Sequence, residues 1–287
     1  MASAKEIKGQ IKAVQNTAKI TKAMEMVAAS KMRKAQQRVM DARSYAEGIR
    51  QVIANLMQAH PEYKHSFFTP RETVKKVGII LVSTDKGLCG GLNTNAFRLV
   101  TKSIRAQKEG VEVEVINVGR RGGAFVRRFG INVAGSVENI SDTPELGDIL
   151  GAADLAINNF ADGSYDEVHI LFSEFVNTMT QSATLVQLLP CPVADEPSHP
   201  GYWDYLYEPD SQIVLDGLLK RYIESLVYHG VLENKACEQS ARMVAMKSAT
   251  DNAKGMAKDL QITYNKARQA AITQELAEIV AGGAAAG

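Results

Sequence analysis

The chain has 287 residues, 45% of them apolar, with 33 Lys and Arg against 32 Asp and Glu, enough for one large domain or two modest ones. Its three cysteines, Cys89, Cys191 and Cys237, stand far apart with no C-x-x-C pair, which argues against a disulfide framework or zinc ribbon and for a reducing compartment. Apolar runs such as VGIILV at 77–82 fall far short of the roughly 20 residues a membrane-spanning helix needs, and Lys5, Glu6, Lys8 and Lys12 break the apolar stretch of an export signal.

From the first residue, positions spaced by seven read Ile7, Val14, Thr21, Ala28, Ala35, Ala42, Ile49 and Leu56. The offset series reads Ile11, Ala18, Glu25, Met32, Val39, Ala46 and Ile53, so only Thr21 and Glu25 among them are polar. A proline-free heptad repeat of this length predicts a coiled-coil helix over about 3–58, ~80 Å long, with Ile11, Val14, Ala28, Met32, Ala35 and Val39 in its seam. Residues 1–60 carry 11 Lys and Arg against 4 Asp and Glu, whereas 61–208 carry 13 against 19. A basic helix on a near-neutral chain speaks of partners rather than of fold. Its cations Lys31, Arg33, Lys34, Arg38 and Arg43 have two readings, a solvated face or contact with a nucleic acid or acidic protein surface, and Met24, Met26 and Met32 read as seam or as an adaptable binding face.

The pattern then changes. Residues 74–83, 111–119, 167–177 and 182–190 read as strands, 92–107 as a helix and 122–130 as a helix-like turn. Thr143 before Pro144 opens a further helix over 143–160. Alternating strands and helices predict a small Rossmann-like α/β domain with a mostly parallel sheet over 61–208, closed by a proline-rich return loop. After Pro209 no proline occurs, and Asp210 or Ser211 can cap a helix that runs towards a frayed AGGAAAG tail. This 209–287 segment, ~105 Å if helical, is the natural antiparallel partner of the 1–60 helix. The fold class is α/β: a long antiparallel coiled coil of both chain ends plus the inserted domain.

Catalytic signatures are absent. No Gly-Lys dipeptide exists, so there is no P-loop. STDKGLCGGLN at 83–93 follows a strand and precedes a helix but does not fit G-x-G-x-x-G; Gly87, Gly90 and Gly91 read as a tight turn, and Cys89 near Lys86 as a small buried loop residue before a reactive thiol. His60, His65, His169, His199 and His229 show no metal-ligand spacing, so no metal is expected. No G-x-S-x-G elbow occurs. On the residues alone, two rivals to a mechanical protein-binding chain stay open: a coiled-coil nucleic-acid binder, and a dinucleotide-dependent enzyme lacking the usual loop.

KITKAMEMVAASKMRKAQ near the start, VSTDKGLCGGLN, WDYLYEPD, and YNKARQAAITQELAEIV near the end together resemble the γ subunits of bacterial F-type ATP synthases from end to end. The resemblance implies a non-catalytic rotor shaft, one copy per complex, inside an α3β3 hexamer. The α/β domain would hold ε and rest on the membrane c-ring, so that proton-driven ring rotation cycles the catalytic β sites. It implies that Arg268, Gln269 and Thr273 meet a loop of β, and that Met24, Lys31, Arg33 and Lys34 lie near the acidic levers of β. It further places Tyr205, Tyr207 and Glu208 against the c-ring and ε, and Lys86, Gly87 and Cys89 in a loop near β. No cofactor would belong to this chain, because ATP or ADP with Mg sits on α and β. No nucleic acid is expected. The location implied is the cytoplasmic face of the bacterial inner membrane, reached through partners, and thiol control is not expected without the cysteine-bearing insertion of chloroplast relatives.

Overall fold

A computed structural model describes residues 4–59, 65–108, 110–192, 208 and 210–285. Two helices of unusual length frame the chain, α1 (Ala4–Ala59) of 56 residues and α5 (Ser211–Ala285) of 75. Asp210 caps α5, its Oδ1 accepting from the N–H groups of Gln212 and Ile213 at 2.9 Å each. Between the helices lie β1 (Lys76–Val82), α2 (Leu92–Arg105), β2 (Glu112–Val118), α3 (Arg120–Arg128), β3 (Asn132–Val137), α4 (Leu150–Ala161), β4 (Glu167–Phe175) and β5 (Gln181–Leu189). The sheet runs β3-β2-β1-β4-β5, parallel except for β5, which is antiparallel to β4.

Two compact units divide the chain, and the division cuts both long helices. One comprises residues 1–28 with 243–287, the other residues 29–242.

The larger unit is built around β1. This strand is apolar on both faces because each is covered, which is why it reads as a continuous hydrophobic run. One face, carrying Ile80, Val82, Ile116, Val118, Val168 and Ile170, packs on α4 and on the 29–59 and 211–242 parts of α1 and α5. The other, carrying Val77, Ile79, Leu81, Val115 and Leu171, packs on α2 and α3. Gly230 lets α5 lie flush on β4: a Cβ there would stand 2.7 Å from Ile170 Cδ1. Gly78 does the same for the buried Tyr165 ring, 2.6 Å from where its Cβ would be. Tyr165 in turn donates its hydroxyl to Glu114 at 2.9 Å, and Lys76 pairs with that carboxylate at 3.0 Å.

Two local expectations change. The strand β3 is an addition; its NVAGSV sequence is poor in branched apolar residues because Gly135 must leave room for Leu155, whose Cδ2 would be 2.7 Å from a Cβ. The helix expected from Thr143 starts later. A short 3-10 turn spans Leu146–Asp148, where the Glu145 N–H donates to Asp148 at 2.9 Å, and α4 begins only at Leu150. Thr143 instead donates its own N–H to Ser141 Oγ.

The smaller unit is a helix pair. Ile7, Ile11, Thr21 and Ala28 are buried on α1, Val14 and Ala18 partly so. Facing them on α5 are Met246, Thr250 and Ala253, then the partly buried Ala257, Leu260, Tyr264 and Ala267, a strict alternation of four- and three-residue steps. The Thr21 and Thr250 hydroxyls share a buried hydrogen bond of 2.7 Å inside this seam.

Candidate functional site

The heptad assignment separates α1 into an inner and an outer side. Within 29–59, Ala35, Ala46, Ile49 and Ile53 are buried and Met32, Val39 and Ala42 partly buried. In the smaller unit Met24 is partly buried and Met26 exposed. Ala28 is 1% exposed.

The basic positions do not behave alike. Arg33 and Lys34 are exposed, with no ion pair among the described residues. Lys31 is engaged by its own chain: its Nζ sits 2.5 Å from Asp142, and this bond holds the Asp142 carboxyl below the usual carboxylate range. Lys22 pairs with Glu25 and Arg43 with Glu47 along the helix. The cations that read as one patch are therefore partly neutralised in place, which weakens the nucleic-acid reading.

Behind Lys31 lies a cluster that the sequence reading did not single out. On α5, Lys235, Glu238 and Arg242 are all buried. Arg242 Nη2 donates to Glu238 Oε1 at 2.7 Å and to the Gly87 carbonyl at 3.2 Å. Lys235 Nζ donates to the Ile140 carbonyl at 3.1 Å and lies 3.6 Å from Glu238 Oε2. One helix face thus grips two loops, 84–91 and 140–142, and the second of these also meets α1 through Lys31. The spacing i, i+3, i+7 was visible in the sequence, but charges at helical spacing read as a solvated face; only the loops reveal them as buried.

The 84–91 loop is itself tightly wired. Asn93 accepts the Thr84 N–H at 3.2 Å and returns a bond to Thr84 Oγ1 at 2.7 Å, while Thr84 donates to the Lys86 carbonyl. Lys86 is exposed, Gly87 partly buried. Cys89 is buried against Cys237 and Leu92, and burial pushes its thiol above the ordinary value. Between them Leu88 holds φ 63° and is 63% exposed, an apolar side chain presented outward by a left-handed backbone that few residues adopt.

The neighbouring turn is filled rather than open. At the start of α3, Arg120 N donates to Asp85 Oδ1, Arg121 N to the Thr84 carbonyl and Gly122 N to Ser83 Oγ. The backbone donors at the start of α3 are therefore taken up by the 83–85 segment of the chain itself.

At the free end of α5, every described side chain from Arg268 to Leu276 is exposed, including Arg268, Gln269 and Thr273. Thr273 donates back to the Gln269 carbonyl at 2.9 Å, as a helical threonine does when it points outward. Ile272 and Leu276 stand exposed on this stretch too. Glu208 is exposed, while Tyr205 and Tyr207 lie outside the described residues. Of the residues implied by the resemblance, Met24 and the α5 end belong to the smaller unit, and Lys31, Arg33, Lys34, the 84–91 loop and Glu208 to the larger.

The ATP synthase family model matches residues 3–286. The ATP synthase gamma chain of Acidithiobacillus ferrooxidans is 56% identical over 288 residues, covering 99% of this chain and 100% of the relative. That of Nitrosococcus oceani is 56% identical and that of Legionella pneumophila 51%, with the same coverage. Among solved structures, a chain of the Tetrahymena thermophila mitochondrial ATP synthase central stalk and c-ring shares 26% identity at a TM-score of 0.62, covering 80% of this chain and 99% of that one. A chain of the Euglena gracilis mitochondrial ATP synthase shares the fold at a TM-score of 0.68 and 16% identity, over 98% and 94%. The match spans both long helices and the domain between them, and this chain belongs to the ATP synthase γ chain family.

Proposed function

We propose that this chain is the central rotor shaft of an F1Fo ATP synthase, coupling ion-driven rotation of a membrane ring to conformational cycling of the catalytic β subunits. Family membership from residue 3 to residue 286 carries the reading. What supports the mechanical role is a 75-residue helix whose side chains from Arg268 to Leu276 are exposed, joined to an α/β domain through the buried Lys235 and Arg242, which donate to the Ile140 and Gly87 carbonyls. The chain acts without catalysing a step: nucleotide and Mg are held by the α and β subunits, and one copy serves three β sites in turn. Its domain carries ε and stands on the c-ring, and the complex holds it at the cytoplasmic face of the membrane. No helix of the described residues is long and apolar enough to cross a membrane.

Each face has a task. Arg268, Gln269 and Thr273 present two donors and a hydroxyl to a loop of β; Arg33 and Lys34 sweep past acidic levers. A shaft must not lock at one angle, and exposed ion pairs of about 0.2–1 kcal/mol, screened by salt, are remade at each step without stalling it. The stronger packing is inside the seam and in the Lys235–Glu238–Arg242 cluster, which carries torque between the helices and the domain. Such coupling requires two distant sites biased through one stiff element.

Co-expression with α and β subunits tests this. Recovery of a stable complex, with ATP hydrolysis that turns a marker fixed to the α/β domain, is the expected result. A chain purifying alone, or hydrolysis without rotation, overturns it.

A further inference from the structure

The domain between the long helices is acidic overall, yet its outer helical layer is not. Helices α2 and α3 carry seven Lys and Arg and no carboxylate. The described acids of the intervening strand β2, Glu112 and Glu114, alternate with Val113 and Val115, which pack on α2 and α3, and so point to the opposite face of the sheet. Both helices run antiparallel to the strands they connect, so their C-terminal turns emerge at one sheet edge. There Lys102, Arg105, Lys108, Arg127 and Arg128 are exposed, beside Phe129 at 61% exposure. Phe129 continues an aromatic row across the two helices, with Phe97 stacked on Phe125 at 4.3 Å and the Phe129 ring tilted against Phe125 at 4.5 Å. Among the described residues Arg127 alone of these cations has an ion pair, with Glu138 at 3.8 Å, and Glu109, next to Lys108 in sequence, lies outside the described residues. It is also the edge at which α5 enters: its start packs among Phe67, Leu189 and Cys191 near the beginning of β4, whereas Cys237 donates to Ser173 near that strand's end.

We infer that this corner docks on anionic phospholipid headgroups. The inference rests on the rotor reading, which brings the α5-entry edge to the membrane ring. A protein partner is read by charges of both signs in fixed register. A predominantly basic cluster ending in one exposed aromatic ring fits a polyanionic plane into whose boundary a ring can dip. Fluid headgroups impose no preferred angle, so a rotor can hold them and still turn.

The test uses the complex of this chain with α and β, floated with vesicles of phosphatidylglycerol or of phosphatidylcholine. Each cation near an anionic surface contributes about a fivefold factor in partitioning. Replacing Arg105, Lys108, Arg127 and Arg128 by Gln should lower phosphatidylglycerol binding at least about tenfold, leave the melting temperature unchanged, and leave weak phosphatidylcholine binding as it was. Phe129→Ser should lower binding by a smaller factor that high salt does not remove. Replacing Lys5, Lys8, Lys12 and Lys19 by Gln is the charge-matched control and should change little. Equal losses in control and variant, or unchanged flotation of the variant, overturn the proposal. So does a variant that floats normally but no longer holds the membrane sector, which would make the corner a site for an acidic protein. If the chain fails to assemble with α and β, the rotor reading fails by itself. The same two variants of the full chain alone, floated in the same way, then decide the lipid inference.

Discussion

Glu238 offers the sharpest test of how the domain is fixed to the helices. It is 2% exposed and stands between Arg242 at 2.7 Å and Lys235 at 3.6 Å. Glu238→Leu leaves two buried cations facing each other without a counter-charge. Breaking one partner of a buried pair costs about 3–5 kcal/mol. For a unit of this size, ~2–4 °C of melting temperature corresponds to each kcal/mol, so the variant should melt about 6–20 °C lower. Replacing all three, as Lys235→Met, Glu238→Leu and Arg242→Met, removes the charges together and should recover the part of that loss that comes from the uncompensated cations. The remaining deficit comes from the Ile140 and Gly87 carbonyls that lose their donors, at about 1–3 kcal/mol for a group left buried and unsatisfied. Differential scanning calorimetry on the purified chain measures both variants. A single variant within about 1 kcal/mol of the parent, or a triple variant no better than the single, would show that the cluster is not an electrostatic clamp. The triple variant should nevertheless couple poorly in the assembled complex, because loops 84–91 and 140–142 are then tied to α5 by packing alone.

Other outcomes follow from the same geometry. Ala35→Leu should overpack the seam and destabilise the chain by about 1–3 kcal/mol in urea unfolding; unchanged stability would place Ala35 outside the seam. Replacing Lys31, Arg33 and Lys34 by Gln should lower coupled ATP synthesis in the complex, whereas Lys31→Gln alone should also lower stability near neutral pH and not in acid. Asp142 has its pKa lowered in the folded state, so its contribution is present above the unfolded carboxylate value and is lost as pH falls through the folded one; the parent and variant unfolding curves should converge there. His229 behaves oppositely in charge. Its Nε2 is buried without a hydrogen bond and burial lowers its pKa, against Glu233 of α5, Glu174 of β4, and Arg43 and Glu47 of α1. Above pH 6.5 both states are neutral; below it the unfolded chain takes the proton first, so stability falls with pH. His229→Leu should shrink the loss between pH 7.5 and about 5.5, and an unaltered loss would assign it elsewhere. Finally, the thiols of Cys191, pushed up to about 12 by burial, and of Cys237, pushed up further, should be silent to a thiol reagent until the chain unfolds.

What could be read from the sequence follows the range of the interactions responsible. The seam was legible because a seven-residue period repeats over fifty residues, so one irregularity such as Glu25 does not hide it. β1 and β4 were legible because burial on both faces forces a continuous apolar run. β3 was not, since its glycine serves Leu155, a neighbour twenty residues on. The Lys31–Asp142 bond and the Lys235 cluster were not legible either. A cation on a helix has the same local signature whether its partner is water or a carbonyl a hundred residues away, and only the fold decides which.

The hydroxyl pair at Thr21 and Thr250 acts as a ruler. Seventeen residues separate Ala4 from Thr21, and seventeen beyond Thr250 is Ala267, the last partly buried side chain before Arg268. Sliding one helix past the other by a heptad would part the hydroxyls inside an apolar seam, and each left without a partner would cost about 1–3 kcal/mol. Two small polar groups in the interior therefore set how many turns of α5 protrude beyond α1. The reach of Arg268, Gln269 and Thr273 is a length measured out by the seam, and moving the threonine pair by one heptad on one helix alone would lengthen or shorten that reach by two turns.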